Sequence, residues 1–294
     1  MGKSFPPNNN DQYYEVRNAG SAYTYITEQA AKRALYSQSV NNALGPGKMS
    51  FGVIWLLWNW DKKIIQGLTK AAIHTGRHPL VWKQTRRVVI RKPGKYDYTK
   101  VKAHHCISLL SCMWKAVEKV VAEILSEEAQ WQEVLSGGQS GSTKGWPAID
   151  AAAIKVDTAH AAWTPGHITS VHLMDIKAAF PSMVQGRVVN LIKVRRMDED
   201  LILWTKRFGW EKMVALIIEG NSMERHPVQP RVPQGSAVSQ NLFVVYTSGL
   251  IKWVEQYGSA GGMSLVDDLG WVVTGSDVDQ VGTTLEICTA KSIK

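Results

Sequence analysis

Residues 263–273 read Met263-Ser264-Leu265-Val266-Asp267-Asp268-Leu269-Gly270-Trp271-Val272-Val273. Two apolar arms flank a pair of acids, the pattern of a β-hairpin with carboxylates at its tip. A second case lies upstream, where the apolar run Val171-His172-Leu173-Met174 leads directly into Asp175. Strand interiors exclude acids, so carboxylates where apolar strands open to solvent are either turn formers or cation ligands. Taken alone, such acids read more readily as turn residues. Their meaning depends on what stands around them.

Between the two acidic sites, Val232-Pro233-Gln234-Gly235-Ser236 opens a long helix. Leu242, Val245, Tyr246, Leu250, Trp253, Val254 and Tyr257 recur there at a 3.6-residue period, which predicts a helix over 236–257. A glycine at a strand-to-helix junction permits close backbone approach, and a helix N-terminus favours phosphate. Directly after Asp175, the run Ile176-Lys177-Ala178-Ala179-Phe180 places an aromatic five residues beyond the acid. Two or three carboxylates converging on one site suit Mg²⁺, a hard cation that prefers oxygen ligands and keeps phosphate oxygens as partners. A two-metal phosphoryl-transfer site needs such a set.

The charge distribution fits an anionic partner. The 294-residue chain has a formal net charge of +9 and is 45% hydrophobic, too apolar for intrinsic disorder. Residues 61–102 hold 12 Lys and Arg against two acids, so the whole excess sits in one segment. A single-sign block marks either a polyanion partner or a solvated surface. Three cysteines, Cys106, Cys112 and Cys288, are too few for a disulfide framework and indicate a reducing, intracellular setting. The apolar run 51–60 is ten residues long, against about 20 needed to span a bilayer, and the N-terminus lacks a signal-peptide core.

The remaining elements follow from local signals. Helices are expected over 26–42, from 51 to about 76, over 117–125 with Glu127 and Glu128 closing it, from 147 to about 163, over 184–196, from 198 to about 208, and from near Asp277 onward. Strands are expected at Val88-Val89-Ile90 before the turn Lys92-Pro93-Gly94-Lys95, at 107–110, over 168–174, and as a pair, 214–219 and 225–232, around Gly220-Asn221. Residues 137–142 read as a loop. Trp55, Trp58, Trp82, Trp204 and Trp253 read as core, while Trp114, Trp131 and Trp146 fall outside that set.

In this order, these blocks resemble the reverse transcriptase domain of non-LTR, LINE-type retrotransposons, most closely the Tad-like kind found in filamentous fungi. The likeness runs from about Ala31 to the C-terminus and is densest at 107–112, 173–180, 232–236 and 266–268. It implies an α+β right-hand polymerase with fingers and a ferredoxin-like palm, the palm incomplete and the thumb absent. The corresponding division is a flexible tail over 1–24, a fingers-like region over 25–164 containing the basic segment, and an incomplete palm over 165–294.

The resemblance also implies an RNA-directed DNA polymerase that uses two Mg²⁺ ions, or Mn²⁺ in their place. Asp175 and Asp267 correspond to its principal metal ligands, with Asp268 and the backbone carbonyl of Ile176 in support. Phe180 corresponds to the aromatic that blocks a ribonucleotide 2′-hydroxyl. Gln234 and Gly235, followed by Ser236, correspond to residues beside the template and incoming base pair. Arg91, Lys92 and Lys95 correspond to the fingers segment that meets template and triphosphate phosphates. The implied partners are an RNA template, a DNA primer and a dNTP, with no membrane and no disulfide partner.

Several positions depart from the family pattern. His104-His105-Cys106 stands where the family reads Tyr-Arg-Pro, and an imidazole at His105 cannot make the bidentate phosphate contact of a guanidinium. Leu265 replaces an aromatic, Arg231, Ala237 and Gln240 replace Gly, Pro and Pro, and Thr143 and Trp146 replace arginines. The set reads as that of a decaying copy, for which the alternative function is a catalytically inactive nucleic-acid-binding remnant. Rival chemistries lack support. Neither 45–50 nor 141–145 has P-loop spacing, His104, His105, Cys106 and Cys112 lack a second zinc-ligand pair, and Ser140 and Ser142 do not form a nucleophile elbow.

Overall fold

Two four-stranded sheets organise the chain, and each is assembled from segments distant in sequence. The computed structural model describes residues 26–140, 148–163, 166–176, 179–209, 212–228, 232–233, 235–265 and 268–293. In chain order they form α1 (Glu28–Tyr36), α2 (Phe51–His74), α3 (Leu80–Lys83), β1 (Gln84–Arg91), β2 (His104–Leu109), α4 (Cys112–Trp131), β3 (Gln139–Ser140), α5 (Ala148–Trp163) and β4 (Ile168–Asp175). There follow α6 (Ala179–Ser182), α7 (Gln185–Val194), α8 (Glu199–Phe208), β5 (Met213–Ile218), β6 (Asn221–Pro227), α9 (Ser239–Glu255), β7 (Ala260–Leu265), β8 (Asp268–Gly275) and α10 (Val278–Ile293). The chain is thus a mixed α+β protein. No helix among the described residues is long and apolar enough to cross a membrane.

The helix starts follow from capping chemistry. Thr27 Oγ1 accepts the Ala30 N–H at 3.1 Å to open α1, and Ser50 Oγ accepts that of Val53 at 3.4 Å to open α2. Helix α2 carries a break the periodicity does not reveal. Asp61 leaves helical geometry (φ −148°, ψ 92°), and its carboxylate accepts the Lys63 N–H at 2.9 Å, so it acts as a new N-cap inside the helix.

The first sheet runs β2-β1-β5-β6. Strands β1 and β2 pair antiparallel from Arg86↔Leu109 to Arg91↔His104, while β5 lies parallel to β1 from Gln84↔Met213 to Val88↔Ile217. The β5–β6 hairpin turns at Glu219 (φ 50°) and Gly220 (φ 84°), both left-handed, so the return strand starts at once with Asn221. Strand β6 therefore occupies 221–227, in place of the 225–232 expected from sequence.

The second sheet runs β3-β7-β8-β4. Strands β7 and β8 form the expected hairpin, with Leu265 opposite Asp268, and β8 pairs antiparallel with β4 along its whole length. The segment 137–142 does more than connect, because Gln139-Ser140 adds a short parallel strand to β7. Gly138 makes that approach possible: a Cβ there would lie 1.9 Å from the Gly262 carbonyl oxygen. Gln139, buried, then donates through Nε2 to the Val244 carbonyl of α9 at 2.8 Å.

Helix α9 joins two apolar cores. Leu242, Phe243 and Val245 belong to the larger, shared with α1, α2, α4, α7 and α8. Ile251 and Val254 belong to the smaller, closed by Leu269 and Trp271 of β8 and Cys288 of α10. Helix α4 extends over Cys112–Trp131, so Glu127 and Glu128 lie within it and do not terminate it. Trp114, set apart from the core tryptophans in the sequence, is buried at the centre of the larger core. It stacks on Trp204 (5.6 Å, 17°), which stacks on Phe208 (4.8 Å, 20°), with His78 edge-on to Trp114 at 4.5 Å.

His78 gives this cluster a pH signature. Burial first, then the nearby Lys212 and Lys83 charges, lower its pKa from 6.5 to about 3. Between these values the unfolded chain binds a proton that the folded chain does not, so stability is lost as pH falls from about 6.5 toward 3. The stability of the wild type relative to His78→Phe, followed by urea unfolding, is expected to fall by on the order of 4 kcal/mol as pH drops over that interval. A pH-independent difference would contradict it. Taking the difference isolates His78 from other titrating groups.

Candidate active site

Asp175 is the last residue of β4 and Asp268 the first of β8, and their Cα positions are direct partners in the antiparallel ladder. Both are exposed. Alternation along β4 places Asp175 on the same face as Val171 and Leu173, which are 50% and 71% exposed, while Met174 turns toward the smaller core. That face is exposed along β4, whose end carries the acid, while its continuation at Val272 and Met263 is buried. Asp267 lies in the two-residue connection between β7 and β8, outside the described residues, as do Lys177 and Gln234. Among the described residues no three Asp, Glu, His or Cys side chains form a metal-holding group. The described pair nonetheless fits a hard divalent cation: both donors are carboxylates, at one sheet end, and neither forms an ion pair among the described residues.

The chain after Asp175 is anchored on both sides. Ile176 is half-buried against both cores. Phe180, on α6, meets Phe243 of α9 edge-on, with ring centroids 5.7 Å apart and an interplanar angle of 66°. The aromatic following the acid is therefore braced by the helix that follows the Pro233–Ser236 turn.

That turn is built tightly. Ser239 Oγ donates to the Pro233 carbonyl at 2.7 Å, and Gly235 adopts φ +95°, a conformation that L side chains avoid. A Cβ on Gly235 would sit 3.6 Å from the Ser108 carbonyl oxygen, which places the turn against β2 of the first sheet. Ser236 is buried. The approach to α9, which its sequence offers to a phosphate, is met by a carboxylate of the protein itself. Glu118 of α4 accepts the Ala237 N–H through Oε2 at 3.2 Å.

Glu118 is fully buried, as is Lys212 just before β5. Burial pushes the Glu118 carboxyl up to about 7, against the opposing pull of Lys212, the Ser236 hydroxyl and the Ala237 N–H. Burial lowers Lys212 to about 8, against the pull of Glu118. Lys212 Nζ lies 3.9 Å from the centroid of the Phe208 ring and has no hydrogen-bond partner among the described residues. It borders a cavity of about 130 Å³ between Arg87, Ser108 and Pro233. Sequence reasoning missed this pair. The available signal was an acid at position 118 on the stripe Trp114, Val121, Leu125, where helical spacing predicts only apolar residues.

The cationic candidates gather elsewhere, at the far end of the β1–β2 hairpin. Arg91 pairs with His104 in the ladder and His105 with Ile90, while Lys92 and Lys95 occupy the turn beyond. Arg91 is engaged: it donates to Glu219 Oε1 at 2.7 Å and lies 5.6 Å from the centroid of the Tyr98 ring. His105 and Lys95 are exposed. The structure thus forms three groups: the acids at the end of the second sheet, the Pro233–Ala237 turn against β2, and the basic hairpin tip. No hydrogen bond or ion pair among the described residues joins Arg91 or His105 to Asp175 or Asp268.

No curated protein matches the chain. A family model described as reverse transcriptase (RNA-dependent DNA polymerase) matches residues 90–289, a span that holds the acids, the turn and the basic tip. With this match over most of its length, the chain belongs to the reverse transcriptase family of nucleotidyltransferases.

Proposed function

We propose that the chain is the RNA-directed DNA polymerase domain of a non-LTR, LINE-type retrotransposon of the Tad-like kind, extending a primer 3′-hydroxyl with dNTPs. The observation that carries this reading is the pairing of Asp175 with Asp268 at the end of the second sheet, within a span matched by the reverse transcriptase family. Asp175 and Asp267 hold the divalent cations, two Mg²⁺ or Mn²⁺, with Asp268 and the Ile176 carbonyl in support. When bound, the ions supply activation of the attacking hydroxyl and charge stabilisation at the leaving oxygen.

The other residues position substrates. Phe180, braced by Phe243, excludes a 2′-hydroxyl beside the sugar. Gln234 and Gly235 pack along the nascent base pair, with Ser236 beneath them. Arg91, Lys92 and Lys95 meet template and triphosphate phosphates, His105 contributing less there than an arginine would. In this reading residues 25–164 belong to the fingers and 165–294 to the palm. Phe180→Val is expected to raise ribonucleotide incorporation relative to dNTP roughly 10–100-fold, the scale of steric discrimination in an apolar pocket, measured by competitive primer extension. An unchanged ratio would remove Phe180 from that role.

One observation favours a second reading, a catalytically inactive nucleic-acid-binding remnant. Arg91 is paired with Glu219, and His105, opposite Ile90, is an imidazole and not a guanidinium, so the tip offers less charge than its composition suggests. Primer extension on an RNA template separates the two. Incorporation supports the polymerase, and salt-sensitive RNA binding without incorporation supports the remnant.

A further inference from the structure

Resting on the polymerase reading, we propose that Glu118 is a positioning residue: from α4 it fixes the Pro233–Ala237 turn that carries Gln234 and Gly235 to the incoming nucleotide.

Within the turn, the Ser236 and Ser239 N–H groups donate to the Pro233 and Ser236 carbonyls. Helix α9 begins without a side-chain cap, since its N-cap residue, Val238, has no hydrogen-bonding side chain. Ser239 Oγ ties the helix back to Pro233, and the Glu118 carboxylate takes the Ala237 N–H between them. The acid reaches this position from a different element, on a fully buried side chain. It also sits at the positive end of the α9 dipole, which favours a negative charge.

The cost of burying that charge is opposed only in part by the charge of Lys212, which leads into β5 and so into the sheet whose β2 touches Gly235. A buried charge pair is poor evidence of a stability role, because apolar replacements of similar volume serve stability as well or better. What apolar residues cannot supply is an acceptor for the Ala237 N–H. The Glu118 carboxylate thereby ties α4 to the turn, whose Gly235 lies against β2.

Two double variants separate positioning from packing: Glu118→Gln with Lys212→Met, and Glu118→Leu with Lys212→Met. Both remove the buried charges, and they differ in whether an acceptor faces Ala237. Hydrogen–deuterium exchange over residues 232–238 is expected to be roughly tenfold faster in the leucine pair than in the glutamine pair, the worth of one hydrogen bond of this kind. The dNTP KM on a primed RNA template is expected to rise by a similar, roughly tenfold, factor with a smaller change in kcat. The single variant Glu118→Gln keeps the acceptor and is expected to exchange slowly, which preserves the comparison if a double variant fails to fold. Equal exchange, or faster exchange with an unchanged KM, would overturn the positioning role. Absence of incorporation by the wild type would overturn the polymerase reading instead, with the exchange comparison still deciding whether Glu118 holds the turn.

Discussion

Asp175→Asn is expected to lower the rate of nucleotide addition by roughly 10³-fold or more, because the amide removes one anionic ligand from the site where charge develops in the transition state. The same substitution is expected to leave the fold intact and to raise its stability slightly. Asp175 faces Asp268 directly across the ladder, and like charges in that position are destabilising. Relief of that repulsion is expected to contribute about 0.2–1 kcal/mol. A gain in stability accompanied by loss of rate marks a residue kept for chemistry at some expense to the fold. Single-turnover incorporation and urea unfolding on the same preparations check both halves. A stable variant with undiminished rate would remove Asp175 from the site, and a destabilised one would show that the acids are structural.

Trp204→Ala is expected to destabilise the protein by about 3–5 kcal/mol. Trp204 is fully buried between Trp114 and Phe208, stacked on both, in the core that α4, α8 and α9 share. Its indole N–H has no hydrogen-bond partner among the described residues, so the cost is one of packing alone. Trp204→Phe keeps most of the ring volume and removes that unpaired donor, and is expected to cost under about 1.5 kcal/mol. Urea unfolding monitored by far-UV circular dichroism distinguishes the two. Equal losses would show that the indole N–H is paired after all.

Much of the second sheet is legible in the sequence. The two apolar arms around Asp267-Asp268 announce the β7–β8 hairpin, and the apolar run before Asp175 announces β4, because strand interiors exclude acids and open to solvent at their ends. The helical period of α9 is equally plain. What periodicity cannot encode is which strands meet. The parallel pairing of β5 with β1 joins residues 213–217 to 84–88, and nothing local to either segment specifies it. The start of β6 at Asn221 is not legible in the sequence because Glu219 adopts a left-handed conformation unusual for a residue without glycine's freedom. The break at Asp61 was hidden because an acid inside a helix is ordinarily a solvated surface residue.

The site shows the same division. Asp175 and Asp268 were named from the sequence, and the ladder register makes them neighbours. Glu118 and Lys212 do not stand out in the sequence because charged residues on helices and at strand ends are common, and only the fold shows that both are buried. The family resemblance places Arg91 at template and triphosphate phosphates. Its pairing with Glu219 across β1 and the β5–β6 turn arises from the same non-local strand pairing that the sequence does not display.

The most direct test of the central claim, that the carboxylates at the β4–β8 junction form a divalent cation site, is Mn²⁺ binding followed by electron paramagnetic resonance in the presence of primer–template and dNTP. The wild type is expected to bind Mn²⁺ with the coupled signature of two neighbouring ions, and Asp175→Asn and Asp267→Asn are each expected to lose it. Mn²⁺ binding that is unchanged in both variants would contradict the account.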